Sequence, residues 1–375
     1  MKSKLFLICL FCLLFGGACN NRQEERAAKI VDLKESSRIR PLSTEFFRLE
    51  IPEEIKIGCV DQFESDGSRI YLLQSNSSHR GLYAFDMRGT FAGKVGDFGR
   101  GAGEYRQPLS FALTEKHILI LDTSGNFVLR YRKDDLTFED KSKIFNTSYF
   151  ESIDDDTFVC GNDEYESQKP YCEKQYVLTD ASFRPQSGYV DKIVLSGYET
   201  GPNRPMYRFE NRPRTYTQYY PYVYECTSEG VVPVYEIRFG DFRLPSAEFL
   251  RQICADDRDY YDDLTDSGFI SYYSVYETSD QLQIDFFVSH KKKIGFYSKS
   301  AADGFFAAKE AWERDYPFAT WTTVGTWDDR FVSALFVSDL REREGEIEMP
   351  AELKALMDKC SDNDLILWRF KLSDR

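Results

Sequence analysis

A strand–turn–strand–turn–strand pattern occurs twice in succession, and this repeat constrains the fold more than any other feature of the 375-residue chain. The first copy is Ile70-Tyr-Leu-Leu-Gln74, a turn, Leu82-Tyr-Ala-Phe85, a turn with Gly89, then Thr90-Phe91. The second is Ile118-Leu-Ile-Leu-Asp122, a turn, Val128-Leu-Arg-Tyr131, a turn, then Thr137-Phe138. Ile118 follows Ile70 by 48 residues and Val128 follows Leu82 by 46, so one turn differs by two residues. The runs are short, rich in β-branched and aromatic residues, and bounded by turn formers. One such unit cannot bury its own faces, so neighbouring units must stack. A period of roughly 45 to 55 residues suits a four-stranded antiparallel blade. Residues 45 to 375 have room for six such units with insertions, or seven tight ones.

Runs of the same kind continue along the chain: Tyr176-Val-Leu178, Tyr222-Val-Tyr224, Val234 to Phe239, Leu282 to Val288, Phe331 to Val337 and Leu365 to Phe370. The chain therefore reads as all-β. Two stretches depart from it. Ser246 is placed to cap a helix carrying Phe249, Leu250 and Ile253 on one face. Pro350 suits the first turn of a second helix with Leu353, Leu356 and Met357.

The first twenty residues carry an address. Lys2 and Lys4 precede the apolar run Leu5–Phe15, then Gly16-Gly17-Ala18-Cys19. That is a secretory signal, too short for a comfortable membrane span. A Cys directly after small residues is where a bacterial lipoprotein is acylated and cleaved, although Gly16 stands where Leu is usual. The expected organisation is a signal peptide at 1–19 with lipid anchor Cys19, a polar tether at 20–40 and one β domain at 41–375.

Net charge is −14, which argues against nucleic acid as a partner. Three histidines, His79, His117 and His290, leave little for a His-based metal site. Beyond Cys9, Cys12 and Cys19, six cysteines remain: Cys59, Cys160, Cys172, Cys226, Cys254 and Cys360. None forms a C-x-x-C. An exported chain admits disulfides, and Cys160–Cys172 across a hairpin or Cys59–Cys360 closing a ring are the pairings considered. Buried free thiols are the other reading.

Motifs for catalysis are missing. There is no Walker A, no Gly-x-Ser-x-Gly and no His-Glu-x-x-His. Gly99-x-Gly101-x-Gly103 has Glu104 where a dinucleotide loop needs Gly, and a Pro and a strand follow rather than a helix. The loop Gly99, Gly101, Gly103, Glu104, Tyr105 is read as a structural connector between blades. Asp154-Asp155-Asp156 and Asp256-Asp257-Arg258-Asp259 with Asp262-Asp263 lack the spacing of a calcium loop and read as solvated turns and a helix end. No metal, cofactor or catalytic residue is assigned. The remaining binding candidate is a Pro- and Arg-rich segment at 200–222 that reads as a loop: Arg204, Arg208, Arg212 and Arg214 with Tyr216, Tyr219 and Tyr220. Strand core and blade packing is the competing role for these aromatics.

The connector Val95-Gly-Asp-Phe-Gly-Arg-Gly-Ala-Gly-Glu-Tyr105, then Pro108 and a strand ending in Leu121-Asp122, resembles the six-bladed β-propeller lipoproteins of the Bacteroidota. It is also similar to NHL and TolB-like propeller repeats. Ala102 stands where that family usually has Pro. Val234–Gly240 followed by Leu244-Pro245, and the terminal Asn363–Leu372, share the resemblance, which covers most of the chain from about residue 40. Gln23-Glu24-Glu25 resembles the acidic export signals of surface lipoproteins in that phylum.

The resemblance implies a six-bladed propeller with two helical insertions, held in the outer membrane by its lipid alone and facing the periplasm or the exterior. The expected role is a binding or scaffold module for a glycan, peptide or envelope protein. The alternative is an enzyme like the propeller lactonases and lyases, with a metal held in the central channel.

Overall fold

The computed structural model describes residues 28–76, 78–162, 169–193, 204–255, 260–319 and 323–373. Two strands precede the first blade: β1 (Lys29–Glu35) and β2 (Leu42–Leu49). Blade 1 is β3 (Gln62–Ser65), β4 (Arg69–Gln74), β5 (Gly81–Asp86) and β6 (Phe91–Val95). A connector with two short parallel strands, β7 (Asp97–Phe98) and β8 (Glu104–Tyr105), leads to blade 2. Blade 2 is β9 (Pro108–Leu113), β10 (His117–Asp122), β11 (Phe127–Arg132) and β12 (Phe138–Lys143). Blade 3 is β13 (Phe150–Ser152), β14 (Phe158–Gly161), β15 (Lys174–Thr179) and β16 (Pro185–Asp191). Blade 4 is β17 (Met206–Phe209), β18 (Arg212–Tyr216), β19 (Tyr222–Thr227) and β20 (Gly230–Arg238). Helices α1 (Ala247–Ala255) and α2 (Tyr260–Asp266) lead to blade 5: β21 (Ile270–Glu277), β22 (Gln281–Val288), β23 (Lys291–Ser298) and β24 (Asp303–Ala308). After α3 (Lys309–Asp315), blade 6 begins with β25 (Thr323–Trp327) and β26 (Arg330–Phe336). Helices α4 (Val337–Glu342) and α5 (Ala351–Met357) then precede β27 (Leu365–Leu372).

The ring closes by borrowing. Blade 6 has only three strands of its own, and β2 supplies the fourth, antiparallel to β27 from Leu42↔Leu372 to Leu49↔Leu365. Closure removes the open edge that a terminal strand would present. The repeated pattern in the sequence corresponds to the second, third and fourth strands of blades 1 and 2.

Hydrophobic clusters occupy the seams between successive blades. One joins blades 1 and 2 through Leu73, Leu82, Phe111 and Ile120. Others lie between blades 2 and 3, 3 and 4, 4 and 5, 5 and 6, and 6 and 1. Both faces of each blade are therefore buried, which is why inner strands such as β4 and β10 read as continuous apolar runs.

The tether expected over 20–40 is shorter than that. β1 lies parallel to the outer strands of two blades at once, with Lys29–Asp32 against Tyr235–Arg238 of β20 and Leu33–Glu35 against Gly304–Phe306 of β24. Val31 and Leu33 are fully buried in the seam between blades 4 and 5. Gly304 allows this approach, because a Cβ there would collide with the Asp32 carbonyl. A strand of only seven residues with charges at four of its five exposed positions looks like a polar linker in the sequence.

Five helices are present among the described residues rather than two. Ser246 caps α1, its Oγ accepting from Phe249 N at 3.1 Å. Pro350 is the residue before α5, which buries Leu353 and Met357. The helices missed in the sequence have six or seven residues each, too few for a clear period. None of the six cysteines forms a disulfide in the described structure, so neither considered pairing is present. Among the described residues no helix is long and apolar enough to cross a membrane.

Candidate functional site

The innermost strands, β3, β9, β13, β17, β21 and β25, line the axis. Phe63-Glu64-Ser65 in β3 and Phe150-Glu151-Ser152 in β13 are the same tripeptide in two blades. Strand alternation sends each Phe into a seam and the following Glu to the opposite side. Blade 4 answers with two cations. Arg204 pairs with Glu151 and, at 3.2 Å, with Glu64. Arg208 donates from Nη1 to Glu151 Oε1 at 3.0 Å, to the Ser152 carbonyl at 2.7 Å and to Ser152 Oγ at 3.1 Å. The Glu151 side chain is 1% exposed and those of Arg204 and Glu64 are 9% and 14%. Burial pushes the Glu64 carboxyl above its usual range; Arg204 pulls it down and the charge of Glu151 adds to the rise. The cavity left beside this lock is only about 50 Å³, lined in part by Gln62, Tyr216 and Tyr276.

These residues do not fit a channel metal. Glu64 and Glu151 are already engaged by guanidinium groups, and a divalent cation between them would meet two fixed positive charges. Among the described residues no group of three or more His, Cys, Asp or Glu converges.

Of the seven Arg and Tyr residues singled out in the sequence, Arg208, Arg212, Arg214 and Tyr216 are on strands while Arg204, Tyr219 and Tyr220 are in the adjoining loops and turns, and the seven do not share one face. The segment contains β17 and β18. Arg204 and Arg208 meet in the channel. Arg212 is exposed and pairs with Glu225 at 2.9 Å. Arg214 is buried between Glu225 and Glu277. Glu277 is fully buried, accepting from Tyr207 at 3.0 Å, Tyr235 at 2.6 Å and Lys299 at 2.6 Å. Burial and this carboxylate push the Tyr207 phenol well above its ordinary range. Tyr216 is buried in the seam of blades 4 and 5, and the Tyr219 hydroxyl bonds that of Tyr260 on α2. Tyr220 donates to the Asp191 carbonyl at 2.8 Å. Residues 200–203, like Cys19 and Asp256–Asp259, lie outside the described residues.

The glycine-rich connector is packed tightly. Glu104 accepts from Gly101 N at 2.7 Å, and a Cβ at Gly99 would collide with that carboxylate. Tyr131 donates to the Gly103 carbonyl at 3.0 Å, and Tyr105 Oη accepts from Leu82 N at 3.3 Å. Asp154–Asp156 form a turn in which Asp156 N donates to Asp154 Oδ1 at 3.0 Å.

Open space is found on the face built from the loops between the first and second strands and between the third and fourth. At the channel mouth a cavity of about 290 Å³ has Arg208 at its floor and Trp327, Asp328 and Asp329 on its wall. Between blades 1 and 2 runs a groove of about 800 Å³ lined by the acids Asp66, Glu115, Asp134 and Glu139 and the bases Arg69, Lys116, Arg132 and Lys133, with Glu139 paired to His117 at 2.9 Å. Its sides are tied together: Arg69 reaches across to the Lys133 and Asp134 carbonyls, and Lys133 pairs with Asp66 at 2.9 Å. Burial opposes the Asp66 charge, but Lys133, the Ser68 hydroxyl and the Arg69 amide hold its carboxyl at about 2. Nothing in the local sequence marks this groove, because its walls come from loops of two blades.

A family model described as a six-bladed β-propeller matches residues 18–334. The chain belongs to that family. A solved structure from Bacteroides fragilis NCTC 9343, provisionally named as an exported protein, is similar to this propeller with a TM-score of 0.85 and 24% identity. The match covers 92% of this chain and 100% of that one. U3-55K (TM-score 0.44, 8% identity, 86% of this chain and 98% of that one) shares less. So does virginiamycin B lyase of Staphylococcus aureus (TM-score 0.38, 9% identity, 87% and 99%). Neither carries an argument about this chain. No curated protein matches the sequence.

Proposed function

We propose that this propeller is an exported, lipid-anchored binding module of the outer membrane that holds a peptide or protein segment in the groove between blades 1 and 2. The observation that carries this reading is the division of space. At the axis the Arg204 and Arg208 ion pairs leave about 50 Å³ beside them and about 290 Å³ at the mouth, while the charged groove offers about 800 Å³. Ligand pockets for sizeable partners run to several hundred Å³. Side chains of both signs line the groove, which complements the mixed charges of a polypeptide better than the uncharged faces of a sugar. Cys19 directly after Gly16-Gly17-Ala18 supports the anchor, the acidic Gln23-Glu24-Glu25 supports export to the outer membrane, and the likeness to an exported protein supports export.

The test is thermal unfolding of residues 28–375 with panels of charged peptides, envelope glycans and envelope extracts. A partner that binds only the folded form raises the midpoint with its concentration. The expected outcome is a rise with a peptide or protein class that charge reversal at Lys116 and Arg132 abolishes. A rise with a glycan that ignores those reversals would remove the groove from the reading.

A further inference from the structure

The blades follow one another around the ring in chain order, each seam holding its own cluster. In a six-membered ring the seam between blades 4 and 5 lies diametrically opposite the seam between blades 1 and 2. The first is where β1 is sewn in, and the second is where the charged groove runs.

Cys19 is separated from β1 by the nine residues 20–28. Nine residues reach about 30 Å at full extension, at ~3.3–3.6 Å each. A domain of this length is roughly 50 Å across by the usual scaling of compact chains. The reach of the tether is therefore shorter than the ring. On β1, Ile30 is 45% exposed, and within the strand the exposed Lys29 and Lys34 are balanced by Asp32 and Glu35.

We propose that β1 is an orienting strut: it holds the seam of blades 4 and 5 at the bilayer and turns the groove of blades 1 and 2 away from the membrane, toward a water-soluble polypeptide partner. This rests on the lipid anchor and the groove named under the proposed function. It adds a direction to them, and assigns to β1 a role beyond burying Val31 and Leu33.

The test uses the full-length acylated chain in phosphatidylethanolamine–phosphatidylglycerol vesicles with a headgroup-linked energy-transfer acceptor. One form carries a fluorescent amino acid at position 30, another at position 116, both with the unfolding midpoint of the parent. Transfer from position 30 is expected to exceed that from position 116 by about twofold or more, since the positions are separated by roughly the width of the domain. Equal or reversed transfer in acylated protein overturns the orientation. A twenty-residue Gly-Ser insertion after Arg22 is expected to bring the ratio toward one, because a flexible linker of that length no longer limits reach. A ratio unmoved by the insertion overturns the strut. Absence of acyl mass on the Cys19 peptide overturns the anchor itself, a failure distinct from the other two.

Discussion

Replacing Arg204 by Met removes the cation shared by Glu64 and Glu151 while keeping much of the side-chain bulk. Glu151 retains Arg208 at 3.0 Å, but Glu64 loses the one cation to which it is paired among the described residues. Breaking a buried ion pair by deleting one partner costs about 3–5 kcal/mol, because a charge is left uncompensated. The retained Arg208 contact puts the cost near the lower end, about 3 kcal/mol. At ~2.1 cal/mol/K of unfolding entropy per residue, a chain of this length loses about 4 °C of midpoint for that amount. The expected result at neutral pH is therefore a midpoint about 4 °C below the parent by differential scanning calorimetry. Glu64→Gln in the same background removes the stranded charge and should restore most of the loss.

Proton linkage gives a second readout of the same variant. A carboxyl whose folded value is raised contributes stability that is full below its unfolded value and lost as pH rises through the folded one. Glu64 is already raised by burial, and removing Arg204 takes away the main influence holding it down. The deficit of Arg204→Met must then be largest near neutrality and shrink on acidification as Glu64 takes up a proton. An unchanged midpoint at neutral pH, or a deficit that does not shrink in acid, refutes the view that an ion lock closes the channel.

Three further outcomes are expected. Asp66→Asn removes a carboxylate held at about 2, so the parent should exceed the variant by ~2 kcal/mol above pH 4, and acid unfolding curves should converge as pH falls toward about 2. Leu33→Ala empties a fully buried position in the seam of blades 4 and 5 at a cost of about 2–5 kcal/mol, and hydrogen exchange should quicken first in β20 and β24. Ellman's reagent should label exposed Cys172 in the folded chain. It should reach Cys160, whose thiol burial pushes up to about 12, and buried Cys226 only after denaturation, with no change in midpoint on adding reductant.

Much of the architecture is local and therefore legible in the chain. The strands of blades 1 and 2 repeat because each must present apolar residues to both neighbours, and the connector at Gly99–Tyr105 needs its glycines to fit around Glu104 and Phe138. Ser246 and Pro350 mark helices by the backbone chemistry of a first turn. A repeated Phe-Glu-Ser at 63–65 and 150–152 was also available as a signal for an acid pointed at the axis.

What remained hidden depends on partners distant in sequence. β1 is a charged heptad until β20 and β24 bury its Val31 and Leu33, more than two hundred residues away. Arg204, Arg208 and Arg214 look like a cationic loop until the ring brings Glu64, Glu151, Glu225 and Glu277 against them, turning a candidate binding face into internal ion pairs. The groove of blades 1 and 2 has no linear motif because each wall comes from a different blade. Residue patterning thus determined that blades form and that they stack. Closure of the ring, with β2 completing the last blade, decided which charges are buried at the axis and which line an open face.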